Sequence, residues 1–459
     1  MKDIKPHIFR AYDIRGIVDQ DFDAEWVTVL GRACGTYFKE QGWSRAILGH
    51  DCRASSPEYQ QAMAHGLAQT GVDVLCLNQV STPVFYFAAK HLNYQAGVMI
   101  TASHNPSEYN GFKVWGGAST IYGKEVTAIY DIMKAGNFPS GSGLISFHDI
   151  LPTYKADLLG RCSLSSQRGR PVKVVVDGGN GAAGDLTADI LETAGAEVIR
   201  LYCEPDGSFP NHHPDPVVEE YVEDLKAKVV EEGADVGIGL DGDGDRIGAV
   251  DEKGSLMFGD QLLAIYARDL LKTVPGAGVV ADVKCSTLLF KDIENHGGTC
   301  EMCITGHSIV KSRMIETGAA IGGEMSGHMF FFHGYHGFDD ATYGALKLME
   351  ILSRSTTPLS EYLADWPTTF TTPEIRMDCP EDIKFQVVAK AQAHFKKDHK
   401  VIDMDGARVE FGDGWGLVRA SNTQGALVLR FEAESASRLT EIQTFMETPI
   451  RSWIKEFGG

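Results

Sequence analysis

The chain has 459 residues, with 42 Lys and Arg against 62 Asp and Glu, giving a formal net charge of −20 at pH 7. That acidic excess excludes a nucleic-acid footprint, and a phosphorylated ligand would need Arg and Lys clustered in loops, because only nearby charges escape screening. No apolar run reaches membrane-spanning length and the N-terminus "MKDIKPHIFRAYDIRG" has no signal core, so a cytoplasmic protein of several domains is expected.

In chain order, three segments share one plan. They are "RAILGHDCRASSPEYQQAMAHGLAQTGVDVLCL", "VKVVVDGGNGAAGDLTADILETAGAEVIRLY" and "AGVVADVKCSTLLFKDIENHGGTCEMCIT". Each runs from a short apolar stretch to an Asp (Asp51, Asp177, Asp282), then a small-residue loop, a helical pattern, a Gly and a second apolar stretch. This is a βαβ unit used three times, with strands apolar enough to be covered on both faces. Loop-like stretches near residues 140, 253 and 360 set units of 1–148, 149–252 and 253–365. Beyond them, 366–459 alternates strand-like runs with two helical stretches and reads as a smaller α+β domain with an antiparallel sheet. The expected fold class is therefore α/β: three related mixed-sheet domains and a C-terminal α+β domain. The nine cysteines are irregularly spaced, which argues against a disulfide framework. Cys300 and Cys303 form a C-x-x-C inside a predicted strand with no second pair to complete a zinc site, and are read as structural.

Four loops carry the candidate chemistry. In "MITASHNPSEYNGFKVW", Ser103 falls just past a predicted strand, where open α/β sheets place ligands. Turns at Asn105-Pro106 and Asn110-Gly111 then return a strand with Lys113 on the face opposite Phe112 and Val114. In "GLDGDGDRIG", Asp241, Asp243 and Asp245 alternate with glycines that let the loop curl. Three carboxylates this close repel and raise one another's pKa unless a hard divalent cation sits among them. An EF-hand is the rival, but its sixth position needs Gly where this chain has Arg246, and the flanks read as strands. Arg246 beside the metal suits a phosphate. In "GGEMSGHMFF", an extended backbone would aim Glu324, Ser326 and His328 at one face, a set suited to sugar hydroxyls; Lys284 and His307 lie at other strand ends. In "VRASNTQGAL", Arg419, Ser421, Asn422 and Thr423 make a phosphate cradle that is not a P-loop.

Taken in order, "TASHNP", "DGDGDR", "GEMSGH" and "RASNT", with "YDIRG" and "FPNHHPDP", resemble the α-D-phosphohexomutase superfamily, in its phosphomannomutase/phosphoglucomutase branch. The resemblance covers essentially the whole chain. It implies four domains around a central cleft, each giving one loop, and transfer of phosphate between C1 and C6 of a hexose. Ser103 would be carried as phosphoserine and bound to Mg²⁺ with Asp241, Asp243 and Asp245. Lys113 would be the general base, for which its pKa must be lowered, and Arg15 and His104 would assist at the transferring phosphate. The sugar loop, Glu324, Met325, Ser326, Gly327 and His328, would hold hydroxyls with Tyr12, Arg246, Lys284 and His307 around it. Arg419, Ser421, Asn422 and Thr423 would grip the idle phosphate. Hexose 1,6-bisphosphate would be intermediate and activator and the partners small hexose phosphates; the sequence leaves the oligomeric state open, a monomer being favoured. The His212-His213 pair reads as loop structure. A phosphoglucosamine mutase, a sugar phosphatase or an inactive sugar-phosphate-binding protein are the alternatives, and mannose and glucose phosphates stay unranked.

Overall fold

The computed structural model describes residues 2–117, 119–421 and 425–458. Its strands form four sheets. In the first, Ala96–Ile100, Arg45–His50, Asp73–Gln79 and Ile145–Phe147 run parallel, and the hairpin from Ala96–Ile100 to Tyr109–Gly116 adds antiparallel pairing that continues to Ile14–Ile17. The second sheet repeats this: Glu197–Leu201, Lys173–Asp177 and Val236–Leu240 are parallel, and Ile247–Asp251 turns back antiparallel. In the third, Thr299–Cys303, Gly278–Asp282 and Ile321–Gly323 are parallel, and Met329–Phe331 turns back. The fourth sheet is antiparallel throughout, with Gly414–Ala420 and Ala426–Ala433 as its central hairpin.

The three predicted βαβ units are present, with helices Ser56–Gln69, Gly184–Ala194 and Thr287–Asn295 between their strands. Runs such as "AGVMI" and "VGIGL" are apolar along their whole length because both faces are covered, and every residue in them is buried. One detail departs from the expected division. Leu256–Met257 pairs with Ile247–Asp251, so the second sheet reaches past residue 252 before the chain enters the third.

One apolar core runs through the first three units, joining Val84, Phe85 and Phe87 of helix Thr82–His91 to Val174 and Ile238 of the second sheet and to Leu263 and Leu346 of the third unit. The fourth sheet has its own core, built on Val387, Leu427, Leu429, Ile442 and Met446 beneath helices Lys384–Phe395 and Ala436–Gly458. Burial therefore welds three units together and leaves the fourth as a separately cored body.

Candidate active site

The first three sequence loops occupy one structural position, each the turn from a parallel-paired strand into its antiparallel return: residues 101–108 between Ala96–Ile100 and Tyr109–Gly116, 241–246 in the second sheet and 324–328 in the third. The fourth loop begins at Ser421, just after Gly414–Ala420. Asn422 and Thr423 lie outside the described residues.

Ser103 is buried and adopts φ 51°, a left-handed conformation that a serine takes only where its surroundings compel it. The compulsion comes from both sides of the loop. Its N–H donates to Thr101 Oγ1 at 2.9 Å, and its carbonyl accepts from Arg53 Nη2 at 2.9 Å. Arg53, buried between the first two units, also donates to the carbonyls of Asn105, Pro106 and Tyr109 at 2.6–3.0 Å, is paired with Asp51 and lies over the Phe209 ring. Sequence reasoning missed Arg53 because the loop it holds is bound through backbone carbonyls fifty or more residues away. Gly242 of the second loop passes directly beneath; a Cβ there would stand 2.5 Å from the Ser103 carbonyl oxygen.

The twist exposes the hydroxyl to the carboxylates. Ser103 Oγ donates to Asp241 Oδ2 at 2.7 Å and lies 3.1 Å from His104 Nδ1. Asp241 Oδ1 accepts the N–H groups of Asp245 and Arg246, which curls the loop inward. Asp243 is held by Thr82, whose hydroxyl donates to Oδ2 at 2.6 Å from the first turn of helix Thr82–His91; this is a second residue that the loop motifs could not show. Lys113 Nζ lies between Asp243 Oδ2 at 2.7 Å and Asp245 Oδ2 at 2.5 Å.

These contacts set the charge states. Burial drives the Asp241 carboxyl well above the usual range, and Asp245 and Asp243 add to it. Burial also opposes ionisation of Asp245, but Lys113 and His328 outweigh it and hold that carboxyl well below the usual range. For Lys113, burial alone would lower the ammonium pKa; Asp243 and Asp245 prevail and raise it well above its ordinary value. The lowered Lys113 pKa expected from sequence is thus reversed in this geometry, because the flanking carboxylates stabilise the charged form. His104 is pushed well below its ordinary value by burial and by Arg246, Arg15 and Arg376, which leaves a neutral imidazole beside Ser103.

The acidic trio has the donor chemistry of a hard-cation site. Asp241, Asp243 and Asp245 present oxygens within 4.8 Å of one another, and among the described residues the buried Asp243 Oδ1 has no hydrogen-bond partner. Two other groupings of potential ligands fit less well. In Asp245–His328–Asp339, the His328 imidazole is disfavoured as a cation by burial, yet Asp245 and Glu324 raise its pKa to about 9, so it carries a proton rather than a free lone pair. In Asp292–His296–Asp365, both carboxylates already accept from Arg268.

The third loop is a turn and not the extended segment expected from alternation. Glu324 and His328 face one another across it, Oε2 to Nδ1 at 2.7 Å, while Ser326 Oγ lies 3.4 Å from the same nitrogen. Its closure brings His328 Nε2 to 3.2 Å from Asp245 Oδ1, so the second and third loops touch. Glu324 Oε1 accepts the Gly306 N–H at 2.6 Å, and Met325 N–H donates to Asp282 Oδ1 at 3.1 Å. Gly327 closes the turn with φ 95°. His307 stacks against His328 with ring centroids 5.6 Å apart, and Asp339 faces both, His307 at 3.4 Å and Lys311 at 3.0 Å being nearer than His328.

Thr305 is a junction of three units. Its carbonyl accepts from Tyr12 Oη at 3.1 Å, and its N–H donates to Asp405 Oδ2 at 3.1 Å. Asp405 also accepts from Arg419 Nε at 2.9 Å, and among the described residues the buried Arg419 Nη2 has no hydrogen-bond partner. Lys284 Nζ pairs with Glu374 at 3.2 Å, Arg15 with Asp13 and with Asn105 Oδ1 at 2.6 Å, and the Ser421 carbonyl accepts from Lys384 at 2.7 Å. His212 reaches Asp177 at 3.1 Å, bracing the strand-end loop of the second unit. All nine cysteines are free.

A serine hydroxyl set against a carboxylate trio, with guanidinium and imidazole groups brought in by further hairpin turns, defines a phosphoryl-transfer enzyme built from four domains. Family descriptions agree with that class domain by domain: phosphoglucomutase/phosphomannomutase alpha/beta/alpha domain I over residues 6–140, domain II over 152–254, domain III over 258–370 and the C-terminal domain over 374–448. A phosphomannomutase/phosphoglucomutase of Pseudomonas putida is 43% identical over 444 residues, covering 96% of this chain and 95% of the relative. A phosphoglucomutase of Neisseria gonorrhoeae is 41% identical over 457 residues and 98% of each chain. The crystal structure of a phosphoglucomutase/phosphomannomutase family protein from Burkholderia thailandensis superposes with a TM-score of 0.90 at 38% identity, covering 99% of this chain and 98% of that one. The chain belongs to the phosphoglucomutase/phosphomannomutase family.

Proposed function

We propose that this protein interconverts 1-phospho and 6-phospho hexoses, of mannose, glucose or both, through a phosphoserine at Ser103 and a hexose 1,6-bisphosphate intermediate. The observation that carries the reading is the Ser103 hydroxyl, turned by a left-handed backbone onto Asp241 within the carboxylate trio. Mg²⁺ held by Asp241, Asp243 and Asp245 would neutralise charge on the phosphoserine. The chain's own groups do the rest. Arg15 and neutral His104 face the transferring phosphate. Lys113 takes the proton of the attacking sugar hydroxyl, which requires Asp243 and Asp245 to be drawn away from it so that the carboxylates no longer hold its proton. Glu324, Ser326 and His328 hold sugar hydroxyls, with Tyr12, Arg246, Lys284 and His307 around them, while Arg419 and Ser421, with Asn422 and Thr423, grip the idle phosphate. The units 1–148, 149–252, 253–365 and 366–459 are the proposed working domains, and movement of the fourth opens the cleft for the intermediate to turn round.

The test is a pair of coupled assays with glucose 1-phosphate and mannose 1-phosphate, in Mg²⁺ with a trace of bisphosphate, and glucosamine 1-phosphate as control. Isomer formation from either of the first two is the expected result. Free phosphate without isomer would identify a phosphatase, and preference for the control a phosphoglucosamine mutase. Ser103→Ala is expected to abolish turnover while glucose 6-phosphate still binds; equal turnover in variant and parent would remove the donor role.

A further inference from the structure

Four cations of the cleft each carry a carboxylate of their own. Arg15 is paired with Asp13, Lys113 with Asp243 and Asp245, Arg419 with Asp405, and Lys284 with Glu374. Among the three pairs that do not involve the acidic trio, the last differs. Arg15–Asp13 and Arg419–Asp405 each lie within one unit and use carboxylates that are 9% and 13% exposed. Lys284 belongs to the third unit and is 6% exposed, whereas Glu374 stands at the entry to the fourth and is 26% exposed. Their separation is 3.2 Å, against 2.9 Å for Arg419–Asp405. A buried ammonium thus leans first on a carboxylate that water reaches, with the buried Asp282 carboxylate farther off at 4.0 Å.

Lys284 is also clasped through its main chain. Arg430 of the fourth sheet donates to the Lys284 carbonyl at 2.5 Å, and Arg408 donates to the neighbouring carbonyls of Val283 and Cys285 at 2.6 and 2.7 Å. These buried bonds fix the backbone, so the ammonium keeps its place whichever anion it meets. Burial pushes the Glu374 carboxyl up, but Lys284 and Arg376, with Arg419 behind them, hold it down at about 2. One carboxylate therefore sits in the field of three cations near the cleft, as a phosphate would. A phosphate dianion carries more charge and more acceptor oxygens than a carboxylate, so it can take the ammonium over.

We propose that Glu374 is a displaceable counterion: it holds the Lys284 ammonium until a substrate phosphate replaces it, and its competition keeps the grip on that phosphate loose enough for a bisphosphate to turn round. The proposal rests on the mutase reading and assigns Glu374 a positioning role acting through Lys284. A strut that merely oriented Lys284 would predict the opposite sign, since its loss would weaken phosphate binding.

The experiment is a calorimetric titration of the full chain with inorganic phosphate, in a Ser103→Ala background that cannot transfer. Glu374→Gln is expected to tighten phosphate binding by about three- to ten-fold, the range for releasing one partly exposed ion pair or one modest coupling. Glu374→Asp, which keeps the charge, should bind like its parent, and Glu374→Gln should change nothing in a Lys284→Met chain. With Ser103 restored, Glu374→Gln should lower both KM and kcat for glucose 1-phosphate, because a tighter ground state is a slower one to leave. Equal or weaker phosphate binding in Glu374→Gln, the same tightening without Lys284, or a variant that does not fold by its melting curve would each overturn the proposal. Absence of turnover in the parent would instead overturn the mutase reading, and the phosphate titration would still decide the role of Glu374.

Discussion

Ser103 shows how one residue's conformation is set by partners that its local sequence does not name. The motif "TASHNP" marks the loop, and its position after a strand is readable from the apolar run before it. The left-handed turn that aims the hydroxyl is not, because it depends on Arg53 closing on four carbonyls and on Gly242 passing under the loop. A buried guanidinium satisfied by backbone oxygens leaves no pattern in composition or spacing. Asp340 is a second case, in which neighbours compete. Its carboxylate accepts from Tyr154 of the second unit at 2.8 Å, from Tyr335 at 2.5 Å and from the Tyr343 N–H at 2.9 Å as it caps helix Ala341–Ser353. Burial pushes the carboxyl up and those donors pull it down; burial wins, and the pKa stands at about 6. A folded-state pKa above the unfolded one means the folded chain binds the proton more tightly. The resulting stability is full below about pH 4 and is lost as pH rises through 6, a swing of about 3 kcal/mol. Asp340→Asn cannot titrate. Melting temperatures of parent and variant between pH 4.5 and 7.5 should therefore shift in the variant's favour as pH rises; a pH-independent difference would contradict the assignment.

At the scale of elements, the βαβ units were legible because their signals are local: apolar runs of strand length, a helical period and a terminal glycine. So were the four loops, as strings. What the strings do not reveal is that the first three are the same hairpin turn, each joining a parallel-paired strand to its antiparallel return. The alternation of Glu324, Ser326 and His328 predicts an extended third loop. In the structure a tight turn brings Glu324 and His328 together, and Gly327 is what permits it. A Cβ at Gly327 would lie 2.4 Å from the Ile247 carbonyl, and the Ile247 N–H donates to the Gly327 carbonyl at 3.0 Å, so the third loop rests directly on the strand leaving the second. Gly327→Ala adds an unfavourable positive φ to that clash. It should push the third loop off the second and part His328 from Asp245. We expect kcat/KM to fall by about 100-fold, as for misplacement of a reacting group by about an ångström, with only a few degrees lost in melting temperature. Kinetics within a factor of about two of the parent would show that the contact between these loops is dispensable.

For the whole molecule, the division of the core decides which parts can move. Three units share one apolar core, while the fourth has its own and meets the third through a small apolar cluster of Val283, Trp415 and Leu417 and through polar side chains around it. Arg408 is the centre of that contact. It is fully buried, stacks 3.8 Å from the Trp415 ring, and donates to the Val283 and Cys285 carbonyls and to Thr287 Oγ1 at 2.7 Å. Glu432 completes the patch by accepting from Ser286 Oγ at 2.8 Å and from Trp415 Nε1 at 3.1 Å. An interface of this kind resists sliding, since any shift leaves buried carbonyls unpaired. Truncating Arg408 to Ala strands two buried carbonyls and opens a cavity against Trp415, a loss of about 3 kcal/mol by analogy with other broken buried charge contacts. Because the cores are separate, that loss should fall on docking of the fourth domain rather than on the first sheet. Hydrogen exchange is therefore expected to quicken along 283–287 and 407–410 in Arg408→Ala while the strand Ala96–Ile100 keeps its protection. Turnover should fall as well, since Lys284 lies within the loosened segment. Exchange that quickened equally in the first sheet would mean that the four domains unfold as one body, and the fourth could not then turn independently about this contact.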